Sequence, residues 1–181
     1  MAGKCGKFLI ALMFSALTIA AIVFSCLTVA ACDYVTYLDD QGERKMAGLF
    51  KFEVPGEVDG ECVTYTESEV DSLTNLEKTA MVCGFLAPCF AIVALALATL
   101  ELFLCDKCCI GLFVSILFSF ATIAQSLTFM FLRSESFCSV TGCNMGDGAI
   151  YSIVAVSVMF VAGCTLGCIP KSEPLLIPSE Q

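Results

Sequence analysis

The sequence predicts an all-α membrane protein, a four-helix transmembrane bundle with a small extracellular antiparallel β-sheet in its first outer loop. Four apolar runs lead to this prediction, and each is longer than the roughly 20 residues that a helix needs to cross a bilayer. They cover residues 8–31, 79–104, 110–132 and 149–169. The composition agrees, because 58% of the 181 residues are hydrophobic and only 15% are charged. Since backbone groups in hydrocarbon must bond internally, each run is expected to form a helix.

Four spans place both termini on the same side of the membrane, with a long loop, 32–78, and a shorter loop, 133–148, on the other. Lys4 and Lys7 precede the first span, and basic residues are denser on the side of the termini. The positive-inside rule therefore places the termini and the tail 170–181 in the cytoplasm. This predicts one multi-pass domain, in the plasma membrane or alternatively in another endomembrane. A cleaved signal peptide is an alternative for the first run, but signal cores are usually only about 7–15 residues long.

Four of the 13 cysteines fall on the predicted outer side, where an oxidising environment allows disulfides to persist. They are Cys32, Cys62, Cys138 and Cys143. Cys138 and Cys143 share the short loop and form the natural small ring, which leaves Cys32 and Cys62 to close the long loop. Three pairings are formally possible, and the two that would join one loop to the other stay open.

The juxtamembrane cysteines of the inner side are candidates for S-palmitoylation. They are Cys5, Cys105, Cys108 and Cys109. Plain reduced thiols are the alternative. A metal site is disfavoured because the chain has no His and no second cysteine cluster, so no metal and no cofactor are expected. With no His and no carboxylate in the middle of a span, the chain is predicted not to be an enzyme.

The long loop is the segment with enough residues to fold outside the membrane. Strands are predicted over 34–38, 49–54 and 62–66, because these stretches are rich in β-branched and aromatic residues and are separated by glycine-containing turns. A three-stranded sheet is stable when one apolar face packs on helices. The second strand places Phe50 and Phe52 on one face, as the groups expected to anchor the sheet. Residues 67–78 are expected to form a helical lead-in to the second span.

The loop also carries a family resemblance. Gly48-Leu49-Phe50 stands where claudins have Gly-Leu-Trp, with Cys62 downstream, and 70–73 and 78–82 resemble the claudin sequence that enters the second span. The long first loop, tiny inner turn and shorter second loop are similar to the claudin and peripheral-myelin-protein superfamily. The chain departs from claudins in having no Trp and in having a single Cys after this motif within the long loop.

The resemblance implies a non-enzymatic tetraspan protein that acts in adhesion, scaffolding or regulation of partner membrane proteins. The expected partners are the lipid bilayer and either further copies of the chain or other membrane proteins; no nucleic acid is expected. An oligomeric cation channel, a paracellular-type pore or a channel auxiliary subunit is the alternative.

Acidic residues of the long loop support that alternative, because acidic surfaces concentrate cations. They are Asp33, Asp39, Asp40, Glu43, Glu53, Glu57, Asp59, Glu61, Glu67, Glu69, Asp71 and Glu77. Four basic residues of the same loop do not balance them. The simpler interpretation is a solvated outer face; extracellular cations are the possible ligands.

Three features of the spans concern helix packing. Gly163 and Gly167 form a G-x-x-x-G motif, which lets helix backbones approach closely, either within the bundle or in a dimer. Gln125 lies deep in the third span and is expected to form an interhelical hydrogen bond rather than to line a pore. A stripe of small residues in the second span is assigned to the bundle interior: Ala87, Ala91, Ala94 and Ala98.

Overall fold

The structure, a computed structural model, describes residues 2–38, 42–54, 61–104, 110–138 and 143–167. In chain order its elements are α1 (Ala2–Ala30), β1 (Val35–Leu38), β2 (Arg44–Ala47), β3 (Lys51–Glu53), β4 (Cys62–Thr64), α2 (Glu67–Ser72), α3 (Asn75–Leu104), α4 (Ile110–Leu127), a 3-10 turn (Thr128–Arg133), α5 (Glu135–Cys138), β5 (Asn144–Met145) and α6 (Asp147–Gly167). The prediction of four long apolar helices with a small antiparallel sheet is confirmed.

Within the described residues, four helical stretches are long and apolar enough to cross a membrane, and each overlaps one predicted span. They are Leu9–Ala30, Asn75–Glu101, Gly111–Arg133 and Asp147–Leu166. The third ends in the 3-10 turn rather than as α-helix. Helix α1 packs chiefly on α6, and α3 packs chiefly on α4.

All four long helices turn a stripe of buried residues inward, and the positions alternate by four and three residues. The stripes are Phe14, Thr18, Ala21, Ser25 and Thr28 in α1; Ala80, Gly84, Ala87, Ala91 and Ala94 in α3; Val114, Phe118, Ala121, Gln125 and Thr128 in α4 and the 3-10 turn; and Gly148, Ser152, Ala155, Met159 and Ala162 in α6. This heptad spacing is that of left-handed bundles, and its small residues allow close helix approach. The stripe predicted for the second span is confirmed for its first three alanines, whereas Ala98 is half-buried.

In the part of the chain that the structure describes, the sheet has five strands in the order β4-β3-β2-β1-β5, all antiparallel, where the sequence predicts three. Strand β2 was not predicted because Arg44–Ala47 lacks the alternating β-branched pattern. Strand β5 comes from the second loop, so both loops share one sheet. Phe50 and Phe52 pack half-buried on the core beneath the sheet, but the fully buried anchor is Leu49.

The predicted helical lead-in is broken in two. Helix α2 ends before Leu73, and α3 begins after Thr74. The backbone N–H of Thr74 donates to the Glu77 carboxylate at 2.7 Å, and the Glu77 N–H donates to the Thr74 hydroxyl at 3.4 Å. This reciprocal pair is a capping box, which starts a new helix at this point.

Candidate functional site at the junction of sheet and bundle

The segment Gly48–Leu49–Phe50 seats the sheet on the helices. A Cβ on Gly48 would overlap the carbonyl oxygen of Ala31 and would lie 3.1 Å from that carbonyl's carbon, so the β2–β3 turn contacts the end of α1 through backbone alone. Leu49 is fully buried, with its side chain 2.9 Å from the Cβ position of Gly84. The first two residues of this segment therefore have a physical requirement: no side chain fits at one, and the other fills the space above α3.

Asp33, just after α1, holds the beginning of α6. Its carbonyl oxygen accepts a hydrogen bond from the Gly148 N–H at 3.2 Å, and its carboxylate accepts one from the Asp147 N–H at 3.3 Å. A Cβ on Gly146 would overlap the same carbonyl. Free N–H groups at a helix N-terminus need acceptors and favour negative charge, so Asp33 acts as the cap of a helix more than a hundred residues away in sequence.

Tyr34 extends from this junction into the bundle and is completely buried. Its hydroxyl shares a 3.0 Å hydrogen bond with Thr128, which lies 2.8 Å from the Ser152 hydroxyl. Thr128 donates its own proton to the Gln125 carbonyl at 2.7 Å. A hydroxyl has one proton, so Tyr34 and Ser152 must both donate to Thr128. Burial raises the pKa of Tyr34, and its hydrogen-bond partners oppose that shift only in part.

Gln125 continues this chain of hydrogen bonds. Its Nε2 donates to the Ser152 hydroxyl at 2.9 Å, which links α4 to α6. This is an interhelical hydrogen bond of the kind expected from the sequence. These hydrogen bonds connect the base of the sheet to the interior of the bundle through four side chains: Tyr34, Thr128, Ser152 and Gln125. The four groups are hydroxyls and one carboxamide, so the cluster is held together by hydrogen bonds and carries no charge of its own.

The two loops are joined by a second polar contact. The Ser134 hydroxyl donates to the fully buried Glu77 carboxylate and accepts from the Phe137 N–H at 3.2 Å. The structure has disulfides Cys32–Cys62 and Cys138–Cys143, the pairs that loop spacing favours over the cross-pairings. The first ties the end of α1 to the edge strand β4, and the second closes the loop behind Ser134.

The acids of the long loop are not all solvated. Besides Glu77, Glu53 is buried, and its carboxylate accepts a hydrogen bond from the Met46 N–H at 3.1 Å. The ammonium group of Lys45, also buried, lies 4.0 Å from Glu53 and 3.2 Å from Glu43. The interpretation of these acids as a solvated outer face is therefore wrong for Glu53 and Glu77, which support the fold. Asp39, Asp40, Glu57 and Asp59 lie outside the described residues.

Gly163 is the first glycine of the G-x-x-x-G motif in α6. It is exposed, and a Cβ there would lie 3.8 Å from the Phe118 ring, an ordinary contact. Gly167 ends α6. Both the intramolecular and the dimer interpretation of the G-x-x-x-G motif therefore stay predictions.

Other predicted sites fall at the opposite end of the bundle. Cys105, Cys108 and Cys109 lie outside the described residues, and Cys5 lies near the start of α1. Glu101 lies against the beginning of α4, where its carboxylate is 3.3 Å from the Cβ position of Gly111. A carboxylate beside a helix N-terminus is stabilised by the helix dipole. This explains how an acid is accommodated near the end of an apolar helix.

No family model matches this sequence, and no curated protein is significantly similar to it. The claudin-like resemblance therefore stays a prediction. Sequence reasoning identified Gly48, Leu49, Phe50 and Gln125. It named Asp33 only as one of the acids of the long loop, and it missed Tyr34, Thr128 and Ser152. The signal that was available for the last two is the heptad spacing, which places Thr128 and Ser152 on the inward stripes with Gln125.

Proposed function

We propose that this chain is a non-enzymatic, claudin-like integral membrane protein that presents its sheet outside the membrane to bind other membrane proteins or further copies of itself. Both termini are cytoplasmic in this proposal, and the protein resides in the plasma membrane. Apolar residues on the outward faces of the long helices support a membrane location. Phe160 is 67% exposed, Leu112 64% and Phe85 60%, and such side chains favour lipid over water.

The observation that carries the proposal is the fusion of both loops into one sheet fixed to the bundle. Strand β5 pairs with β1, disulfides fix both loops, and Leu49 and Tyr34 fill the interface below. A surface held in one conformation loses little entropy when a partner binds. The sheet also exposes apolar side chains: Leu38 at the end of β1 is 47% exposed, and Met145 in β5 is 58% exposed. Both side chains are accessible to a partner.

The test is crosslinking mass spectrometry in native membranes with the double variant Leu38→Glu, Met145→Glu. Because both side chains are exposed, the fold should persist, whereas crosslinks from the sheet to partners or to other copies should be lost. Thr64→Glu, on the exposed edge strand β4, is the matched control for added charge. An unchanged crosslink pattern in the double variant would contradict the proposed binding surface.

Orientation has its own test. Protease added to sealed right-side-out vesicles should cut within the sheet region and spare a tag on the C-terminus. Loss of the tag with an intact sheet region would reverse the proposed topology.

The alternative, a cation path formed by an oligomer or a channel auxiliary subunit, is supported by exposed carboxylates near the sheet. Glu43, Glu61, Glu67 and Asp71 are all exposed. Reversing their charge should lower cation permeability of reconstituted protein if this function is correct. Unchanged ion flux would leave the binding function as the better proposal.

A further inference from the structure

One layer of the bundle contains two buried polar atoms that have no partner among the described residues. They are the Ser25 hydroxyl in α1 and the Gln125 Oε1 in α4. Both residues are completely buried. A buried polar atom without a hydrogen bond costs about 1–3 kcal/mol, so such atoms need an explanation.

The contacts of the two residues place their polar atoms at about the same depth, beside Ser152. The Gln125 amide reaches Ser152, because its Nε2 donates to the Ser152 hydroxyl at 2.9 Å. On α1, the Phe24 ring lies 6.4 Å from the Tyr151 ring, so Ser25 lies close to the depth of Ser152. Both serines are on the inward stripes of helices that pack on each other. The layer therefore consists of Ser25, Gln125, Thr128 and Ser152.

Ser25 behaves unlike the other hydroxyl-bearing residues of its helix. Ser15, Thr18 and Thr28 each donate to the carbonyl oxygen four residues earlier, at 2.8–3.0 Å. The Ser25 hydroxyl does not, although the same kind of acceptor is within reach in any helix. Its oxygen has no partner among the described residues and is therefore available to one.

The hydrogen bonds around Gln125 determine what that partner must be. Ser152 gives its proton to Thr128 and so can only accept from Gln125, which requires Nε2 rather than Oε1 to face it. The Gln125 Oε1 therefore needs a donor. The Ser25 hydroxyl can both donate and accept. A neutral donor fits this layer, because its four side chains carry no charge to balance a buried cation.

We propose that this layer binds one water molecule, which donates to Gln125 Oε1 and exchanges a hydrogen bond with the Ser25 hydroxyl. Buried waters typically make about three hydrogen bonds to otherwise unsatisfied groups. The water is the polar link between α1 and the Gln125–Ser152–Thr128–Tyr34 chain. It extends the hydrogen-bonded connection from the sheet, through α4 and α6, to α1.

The test uses the full chain in detergent micelles, labelled with ¹⁵N. Water-selective NMR should show cross-relaxation between a long-lived water and the Gln125 side-chain amide, and Ser25→Ala should abolish it. Thr18→Val, which removes a buried hydroxyl that bonds within its own helix, is the matched control and should leave the signal unchanged. No cross-relaxation in the parent protein, or a signal that persists in Ser25→Ala, would overturn the proposal.

A thermal double-mutant cycle supplies an independent readout. Ser25→Ala should lower Tm by about 3 °C, the shift that loss of one typical hydrogen bond produces in a chain of this size. In a Gln125→Met background, the same change should have almost no effect, because the water has already lost its acceptor. Additive shifts, or a higher Tm in Ser25→Ala, would contradict a shared water. A Tm that rises with Na⁺ but not with choline, and does so only when Gln125 is present, would assign a cation instead.

Discussion

Replacing Gly48 with alanine should separate the sheet from the bundle. The added Cβ would overlap the Ala31 carbonyl oxygen and would also lie 3.1 Å from the backbone carbon of Cys32. Both obstacles are backbone atoms, so no side-chain rotation can relieve the overlap. The β2–β3 turn must move away from α1, and Leu49 must move with it.

The expected loss of folding stability in Gly48→Ala has two contributions. Overpacking of this kind costs about 1–3 kcal/mol, and partial exposure of Leu49 adds a share of the 1.5–3 kcal/mol that burying such a side chain is typically worth. A total of about 3 kcal/mol corresponds to a fall in Tm of about 6–12 °C for a chain of this size. Thermal unfolding in detergent and limited proteolysis of the outer loop measure the two consequences, lower stability and a released sheet.

Two other glycines supply matched controls for the same substitution. Gly42 has φ of +80° and no atom within 4 Å of its Cβ position, so Gly42→Ala should cost about 1–2 kcal/mol through backbone strain alone. Gly163 is helical with an ordinary contact at 3.8 Å, so Gly163→Ala should stabilise by about 0.5–1 kcal/mol. If Gly48→Ala unfolds within 1–2 °C of the parent protein, the close approach of the turn to α1 does not hold the sheet in place.

Three further predictions test other parts of the junction. Burial raises the pKa values of Tyr34 and Tyr65, so both should ionise only above pH 10 in an alkaline titration by phenolate absorbance. The two neutral tyrosines stabilise the fold fully below pH 10, and this stabilisation is lost as the pH rises through their folded-state pKa values. Tyr34→Phe should remove one of the increases in phenolate absorbance that occur above pH 10. Cys62→Ser, which breaks the disulfide to Cys32, should lower the free energy of unfolding by roughly 2–4 kcal/mol. Cys164 is a free cysteine, so Cys164→Ser is the control. Peptide mapping of the parent protein without reductant that finds Cys62 as a free thiol would contradict this prediction. Ser134→Ala removes a donor to a buried carboxylate and should lower stability by about 1–3 kcal/mol in thermal unfolding; an unchanged Tm would show that the loops do not depend on this contact.

The sequence predicted those features that depend on local pattern. Run length identified the four helices, because hydrocarbon thickness fixes the number of residues needed. Loop spacing favoured the disulfide pairs that the structure contains. The polar character of Gln125 in an apolar run was enough to predict an interhelical hydrogen bond, though not that its partner would be Ser152.

Features that depend on distant residues were missed. Strand β5 is two residues long and exists because β1 lies beside it, so its own sequence carries no strand signal. Glu53 and Glu77 look like surface acids, yet each is buried, and each accepts a hydrogen bond from a backbone N–H, of Met46 and Thr74 respectively. Burial of a carboxylate becomes tolerable only when such donors converge on it, and that convergence is a property of the folded chain.

Tyr34 shows why the sheet and the bundle behave as one unit. Its carbonyl oxygen accepts from the Gly146 N–H at 3.1 Å, next to the β1–β5 pairing, while its hydroxyl donates to Thr128 inside the helices. A displacement of the sheet would pull that hydroxyl away from Thr128 and leave polar atoms unpaired in an apolar interior. Because each unpaired group costs about 1–3 kcal/mol, the bundle resists movement of the sheet, and a partner bound to the sheet meets a surface whose position the helices determine.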